Sequence, residues 1–533
     1  MKRAIVLLLI TSLAFTACVS SPTIWGVAQT PTPYSFNPFT PQTDPTPASD
    51  FAGSISTPTN PSFLITEEPT FNTPTPPSNS LIESTYTPTF DTAPILYYAQ
   101  SGDSLQPLAK RFNVNPEEIT SDVTLPATGL IDPGTLLVIP DRISEATSPN
   151  IQIMPDNEII FSATAVNFDL ESYVRKAGGH LSKFREYLGS TGWVEGDKAI
   201  ARLASENSIN PRLLLGLLEY ESRWVRGEPV DILHSDYPMG FEDFRYKGMY
   251  IQMVWAVNQL SIGYYGWRSG TLTQLKFPDG TQLRLDPRLN AGTVAIQYLF
   301  SRLHSQSQWS QIINPDTGFP AMYTEMFGDP WTRADIVNPI FPPGLNQPPM
   351  VLPFEPNHEW HLAQGPHGAW QHIGALAAID LAPSTAHGGC DPTPTWVVAA
   401  APGLVIRSDS GVVMVDMDGD GYEETGWNLL YLHIGTKDRV KVGTWVEAND
   451  RIGHASCEGG ESNGTHIHFA RKYNGEWVIA NGPIPFVLSG WTVYGEDIPH
   501  EGFMKGSMTR GDQTVIADEV GQKWSNIVRE ANE

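Results

Sequence analysis

The chain opens on an apolar run, Ala4 to Ala17, broken only by Thr11, Ser12 and Thr16 and preceded by Lys2 and Arg3. The run is too short to span a bilayer permanently and fits the apolar region of a cleaved export signal. No later run is long and apolar enough to predict a membrane helix. Residues 19–94 lose all apolar periodicity and are dominated by Pro, Thr and Ser. Such a stretch cannot bury enough apolar surface to fold, which predicts an extended, semi-stiff tether. Periodicity returns at 95–141. Ile95 to Tyr98 read as a short strand, and Ser101-Gly102-Asp103 as a turn. Leu105, Leu108, Ala109 and Phe112 then recur at helical spacing. Asn115 and Pro116 can cap and start a second helix. Pro133-Gly134 is a turn before a closing strand, Leu136 to Ile139, giving a β-α-α-β unit.

Residues 160–340 read as mostly helical. Asn210 as cap and Pro211 at the first position start one helix. Leu213, Leu214, Leu215, Leu217 and Leu218 make it apolar nearly all round, which predicts burial. Glu221 continues the Leu214, Leu217, Leu218 stripe, so its carboxyl is expected to be partly desolvated and suited to general acid work. Glu219 is its rival, on another side of the helix. After a Pro-rich joint at 342–353, short β-rich runs follow at 396–401, 404–407, 412–417, 428–433, 440–446 and 466–471. Their spacing predicts an antiparallel β domain over 355–490, with 491–533 as a C-terminal extension.

The 533 residues are too many for one core, and the 41% apolar content is ordinary for globular domains. A net charge of −25 argues against nucleic acid as a partner and against electrostatic adhesion to an anionic membrane. Nine of the thirteen histidines lie between His358 and His468. In Gly464-Thr465-His466-Ile467-His468-Phe469, two histidines stand two apart. On a strand both enter one cleft while Ile467 and Phe469 face a core. Gly365-Pro366-His367 is followed, after twelve residues, by Asp380. His433 ends the run Leu430-Tyr431-Leu432. Two histidines and an aspartate from separate segments match the three protein ligands of a catalytic zinc.

Several segments resemble known families. Tyr98, Ser101 to Leu105, Ala109 to Phe112 and Pro133-Gly134…Ile139-Pro140 resemble a LysM domain, which implies binding of N-acetylglucosamine-containing glycans. The sugar is then expected between Gly102, Asp103, Ser104 and Leu105 on one loop and Leu130 and Ile131 on the other. Asn210-Pro211…Glu219-Tyr220-Glu221-Ser222, with Gly248…Gln252-Met253 and Asn290-Ala291-Gly292, resembles lysozyme-like lytic transglycosylases. That resemblance implies Glu221 as proton donor. The order His…Asp…Tyr-x-His…His-x-His resembles the lysostaphin-like zinc endopeptidases, with the longer, staphylolysin-type spacing between the first His and the Asp. It implies His367, Asp380 and His468 as zinc ligands and His433 and His466 as catalytic histidines. His361 and His372 are rival first ligands. Ala17-Cys18 resembles the lipobox of bacterial lipoproteins, which implies a lipid on Cys18.

The resulting expectation is a multidomain peptidoglycan hydrolase: export signal 1–18, tether 19–94, LysM module 95–141, mostly α lysozyme-like domain 160–340 and antiparallel β zinc peptidase 355–490. It would face the cell wall from outside the cytoplasm and touch the membrane only through its lipid. A non-catalytic scaffold or amidase regulator, and a lytic transglycosylase acting through the helical domain, are the alternatives. Cys390 and Cys457, exported together, are expected to form a disulfide. Asp416-Met417-Asp418-Gly419-Asp420-Gly421 resembles the start of a calcium loop. Trp427 stands where the twelfth-position Glu belongs, so a solvated hairpin turn is the expectation.

Overall fold

A computed structural model describes residues 93–370, 374–385, 389–390, 393–495 and 505–531. The expected export signal, Cys18, nearly all of the tether and the rival ligand His372 lie outside them. Among the described residues, no helix is long and apolar enough to cross a membrane.

The N-terminal unit pairs β1 (Ile95–Tyr98) antiparallel with β2 (Leu136–Ile139) and lays α1 (Leu105–Phe112) across them. Leu108, Ala109 and Phe112 bury the apolar stripe against Leu137 and Ile139. The expected second helix is a single turn, Pro116–Glu118, held by the Glu118 carboxylate accepting from the Asn115 N–H at 2.9 Å. Asn115 starts the turn as expected, but Ile119 is extended immediately after it.

The middle region is a helical body built on α2 (Gly196–Asn207), α3 (Pro211–Ser222), α4 (Met249–Arg268) and α5 (Ala291–Leu303). The Asn210 side chain accepts from the Arg212 N–H at 3.0 Å, and Pro211 to Glu219 are all buried in α3. Two small hairpins, at 185–195 and 274–284, interrupt the helices.

The C-terminal part is a nine-stranded antiparallel sheet. Its strands are β3 (Glu359–Gly368), β4 (Leu376–Pro383), β5 (Gly403–Asp409), β6 (Val412–Asp416), β7 (Trp427–Leu432), β8 (Trp445–Val446), β9 (Ile467–Tyr473), β10 (Glu476–Trp477) and β11 (Asn526–Val528). The order across it is β8-β5-β6-β7-β9-β4-β3-β11, with β10 paired to β9. Every residue of β6 and β7 is buried. An antiparallel strand exposed on one face would alternate, so both faces here are covered. Val413, Val415, Leu429, Tyr431, Ile467 and Phe469 face one core with Leu362, Val397 and Phe486. Val412, Met414, Leu430, Leu432 and Ala470 face the other, which is continuous with the helical body through Trp255, Leu260 and Trp477.

The described residues of the expected extension 491–533, namely 491–495 and 505–531, belong to the fold instead. β11 pairs with β3, a small sheet at 487–516 packs beside it, and Arg529 is fully buried, donating to the carbonyls of Leu352 and Phe354. Its pairing partner lies over 150 residues away in sequence, so local periodicity carries no sign of it.

Arg268, at the end of α4, joins all three parts. It pairs with Asp156 at 2.9 Å and Glu476 at 3.1 Å and donates to the Ser101 carbonyl. The Tyr264 hydroxyl donates to Glu476 at 2.7 Å. Burial pushes the Glu476 carboxyl up and Arg268 pulls it back. Arg268→Met leaves the buried Glu476 and the partly exposed Asp156 without their cation, and loss of one partner of a buried pair typically costs about 3–5 kcal/mol. We expect urea unfolding of the full chain to shift to lower concentration by that margin, and Arg268→Met with Glu476→Gln to recover part of the loss. An unchanged midpoint in the single variant shows that the node is incidental.

Candidate metal centre

His367 and Asp380 lie on the neighbouring strands β3 and β4, and Asp380 is the direct cross-strand partner of His468 on β9. In plain register, Gln364 rather than His367 stands opposite Asp380. Irregularities on both sides of that pair turn the end of β3 and bring the His367 ring over Asp380. His367 Nε2 is 3.2 Å and His468 Nδ1 3.3 Å from Asp380 Oδ1. The two ring nitrogens are 2.9 Å apart. The ligand atoms of all three residues lie within 4.8 Å of one another, and all three residues are buried.

The outward nitrogens fix the tautomers. His367 Nδ1 donates to the Gly365 carbonyl at 2.9 Å, and His468 Nε2 donates to the Ala369 carbonyl at 2.8 Å. The hydrogen-bond network therefore assigns lone pairs to the two facing nitrogens. Asp380 Oδ1 is buried and makes no hydrogen bond. With both rings neutral, three acceptors converge on one point, a donor set that fits a divalent cation of the zinc type. Gly365 and Ala369 act as the outer partners that orient the rings. Burial lowers the His468 pKa; at His367 it also pulls downward, but the neighbouring Asp380 charge outweighs it and raises the pKa. Burial pushes Asp380 up, yet His367 and His466 hold it well below the usual carboxylate range.

His466 and His433 line the same cleft. His466 Nδ1 donates to the Gly464 carbonyl at 2.7 Å, and its Nε2 is 3.6 Å from Asp380 Oδ2. His433 Nδ1 donates to the Glu458 carbonyl at 3.0 Å. The two rings are 4.5 Å apart. His433 follows the end of β7 with φ 66°, a left-handed conformation that a non-glycine residue adopts at a cost of about 1–2 kcal/mol. Burial first, then His466 and His468, lower its pKa to about 3, so it stays neutral near pH 7.

The other expected site residues fall elsewhere. His361 sits at the far end of β3, with Nδ1 3.2 Å from Asn526 Oδ1. The two expected glycan loops meet, since the Ile131 N–H donates to the Asp103 carbonyl at 2.8 Å. They are not open, however. Gly102, Asp103, Ser104 and Ile131 are buried and Leu105 half-buried, while Leu130 packs on the helical body. Asp103 is held by Tyr97 and Arg111. On α3, Glu219 accepts from the Val225 and Arg226 N–H groups and pairs with Arg226. Glu221 is 3.0 Å from His304 Nε2. The Gln252 amide is used up by backbone groups of Met239, Phe241 and Tyr246.

Comparison with known proteins gives family matches for three segments of the chain. Residues 386–479 match peptidase family M23, residues 97–140 the LysM domain, and residues 152–340 the LasA N-terminal domain. The first of these includes His433, His466 and His468 but begins after His367 and Asp380. Protease LasA of Pseudomonas aeruginosa is 26% identical over 368 residues, covering 64% of this chain and 79% of the relative. Beta-lytic metalloendopeptidase of Lysobacter enzymogenes is 27% identical over 157 residues, 28% of this chain and 80% of the relative. Among solved structures, the M23 metalloprotease pseudoalterin aligns at 21% identity, covering 33% of this chain and 96% of its own, with a TM-score of 0.27. The chain thus carries an M23 peptidase domain and a LysM domain, and the region between them matches a LasA N-terminal domain.

Cys390 and Cys457 are joined by a disulfide. Beside it, the Thr465 N–H donates to the Gly389 carbonyl at 2.9 Å, and Glu458 carries the carbonyl that holds His433. The bond therefore ties together the loops that position both histidines. For a sequence separation of 67, the chain-entropy model gives about 4 kcal/mol of stabilisation. We expect the double variant Cys390→Ser, Cys457→Ser to unfold at a clearly lower temperature than the oxidised protein. Free-thiol titration should find neither of these two cysteines in the latter. Equal unfolding midpoints would show that the loops do not need the tie.

Proposed function

We propose that the chain is a zinc-dependent endopeptidase that hydrolyses peptide cross-links of bacterial peptidoglycan outside the cytoplasm. The observation that carries this reading is the convergence of His367 Nε2, Asp380 Oδ1 and His468 Nδ1, three buried ligand atoms within 4.8 Å of one another, with the outward ring nitrogens both spent on carbonyls. A non-catalytic scaffold would have no reason to keep so unfavourable an arrangement. The neighbouring LysM domain and the relatives named as metalloendopeptidases support a wall peptide as substrate.

In this reading His367, Asp380 and His468 hold zinc, which supplies Lewis acidity toward the scissile carbonyl and the attacking water. The chain's own residues do the rest. Gly365 and Ala369 fix the ligand rings so that no reorganisation is needed when substrate arrives. His433, neutral and with Nδ1 committed to Glu458, presents Nε2 to the cleft as an acceptor that orients the water. His466, with Nδ1 committed to Gly464, accepts the proton at Nε2. That proton is held 3.6 Å from Asp380 Oδ2 until it passes to the departing amine. The closeness of the two rings lets one position water while the other carries its proton.

Incubation of the purified protein with peptidoglycan, followed by mass spectrometry, should reveal new peptide amino termini that vanish on chelation and return with zinc. Release of anhydro-sugars instead would move the activity to the helical body and to Glu221. We expect His468→Ala to lose both the metal and turnover. His466→Ala and His433→Ala should retain one zinc per chain yet lose about 10²–10³-fold in turnover, the scale set by loss of one charge-stabilising group. Full metal content in His468→Ala, or unchanged turnover in either of the others, removes that residue from its role.

The His433 shift also sets a pH dependence. Its folded pKa lies below its ordinary value of about 6.5, so the stability linked to its neutral form is present above that value. It is lost as pH falls toward the folded value. The metal-free protein should therefore lose stability on acidification through this window, and His433→Gln should flatten that slope in urea unfolding measured across pH.

A further inference from the structure

The hairpin between β6 and β7 carries a second cluster of oxygen groups, five residues back along the strand from His433, or about 17 Å. Asp416, Asp418 and Asp420 bring carboxylate oxygens within 4.8 Å of one another. Asp416 is fully buried, whereas Asp418 and Asp420 are exposed. None of the three forms an ion pair with lysine or arginine among the described residues. The cations of this corner, Arg407 and Lys472, are engaged with Glu423 instead.

The spacing matches the first nine positions of a calcium loop. Asp416, Asp418 and Asp420 stand at positions one, three and five, Tyr422 offers a carbonyl at seven, and Glu424 stands at nine. Gly421, at position six, has φ 89°, the sharp turn that this position requires. Gly426, at φ 57°, leaves room that the Asp418 carboxylate fills. What breaks the motif is Trp427 at position twelve.

A separate observation supplies the missing oxygen. Asn428, the next residue, is fully buried and lies directly across from Asp416, so both side chains share one face of the sheet. Its Nδ2 donates inward to the Thr425 carbonyl of the same loop at 2.7 Å. Its Oδ1 is buried and has no hydrogen-bond partner. An orphaned amide oxygen beside a buried carboxylate is a costly pair of acceptors, and a hard cation satisfies both. Glu424 adds to this. It is 9% exposed, and burial with its neighbour Glu423 raises its pKa to about 7. Burial, with Asp418 and Asp420 adding, raises Asp416 to about 6. Both shifts describe carboxylates short of positive charge.

We propose that this hairpin binds one calcium ion through Asp416, Asp418, Asp420, the Tyr422 carbonyl and the Asn428 side-chain oxygen, which replaces the glutamate of the standard loop, with Glu424 at position nine reaching the ion through water. The donors are all oxygen, which selects against zinc. Five oxygen ligands completed by water on a flexible turn suit calcium better than magnesium, which demands a small octahedron. The bound ion closes the end of β7, the strand that delivers His433, and fixes the turn from which Glu423 reaches Arg407 and Lys472. Calcium is then a structural requirement at one end of the strand, independent of the zinc chemistry at the other.

Terbium is the probe, because the Trp445 ring lies against the loop. A Cβ on Gly419 would sit 2.7 Å from it. The full chain, saturated with zinc throughout, is titrated with terbium and excited at the tryptophan band. We expect sensitised emission that saturates at one ion per chain and is displaced by calcium at about 10⁻⁴–10⁻³ M, the range of weak calcium modules. The double variant Asp418→Asn, Asp420→Asn, altered only at exposed positions, should bind at least tenfold more weakly. As a measurement free of mutation, millimolar calcium should raise the thermal midpoint of the unaltered protein. Emission that calcium does not displace, displacement by magnesium at equal concentration, equal binding by the variant, or an unmoved thermal midpoint would each overturn the proposal.

Discussion

Three lone pairs aimed at one another inside a sheet are the constraint around which the C-terminal part is arranged. His367 Nε2, Asp380 Oδ1 and His468 Nδ1 repel in the absence of a cation, and burial sharpens the repulsion. The fold holds them together by committing each outward nitrogen to a backbone carbonyl and by pairing Asp380 with His468 across neighbouring strands. Rings held this way cannot rotate to trade their lone pairs for protons. The arrangement is therefore pre-organised for a metal, and the same rigidity extends to His433 and His466, whose Nδ1 atoms are likewise spent on carbonyls.

Rigidity of this kind needs support from outside the ligand strands. The strand bearing His367 is flanked by β11 and by the hairpin containing Gly506, whose missing Cβ would lie 2.4 Å from the Gly365 Cα. Any side chain at Gly506 would push on the segment that turns His367 into the site. Gly506 and β11 thus buttress His367. The left-handed backbone at His433 makes the same point at the other end. A strained residue keeps its conformation only where surrounding bonds over-determine it, and here the Ser456 N–H and hydroxyl both donate to the His433 carbonyl while the disulfide closes the adjoining loop.

Much of the site was legible because its signals are local. His466 and His468 stand two apart, and strand alternation alone places both in one cleft with Ile467 and Phe469 behind them. The helix at Asn210-Pro211 and the β-α order of the first module follow from caps and periodicity for the same reason. What could not be read depends on contacts distant in sequence. The irregular end of β3, which brings His367 rather than Gln364 to Asp380, has no local signature. Nor has the covering of the Gly102–Leu105 loop, which follows from Arg268 reaching Ser101 over 167 residues. The choice between Glu219 and Glu221 also needed the fold. Only there does Glu219 turn out to be consumed by Arg226 and the backbone after α3. The orphaned Oδ1 of Asn428 is the same kind of fact, since its meaning comes from Asp416 opposite.

The helical body is bound to the sheet too thoroughly to swing freely. One face of β6, β7 and β9 packs on the body, and its Leu430, Leu432 and Ala470 share a single apolar cluster with Trp255, Leu260 and Trp477. Buried charge crosses the same boundary, since Glu476 of the sheet finds its cation on α4 and the Ser208 hydroxyl of the body donates to the Gly475 carbonyl at 2.7 Å. Separating the parts would expose the apolar face and strand Glu476 without Arg268, and each of those changes is costly by itself. His468 lies between Ile467 and Phe469, which point to the opposite core, so its ring projects toward the side on which the body sits. The body and the candidate metal centre therefore share one side of the sheet.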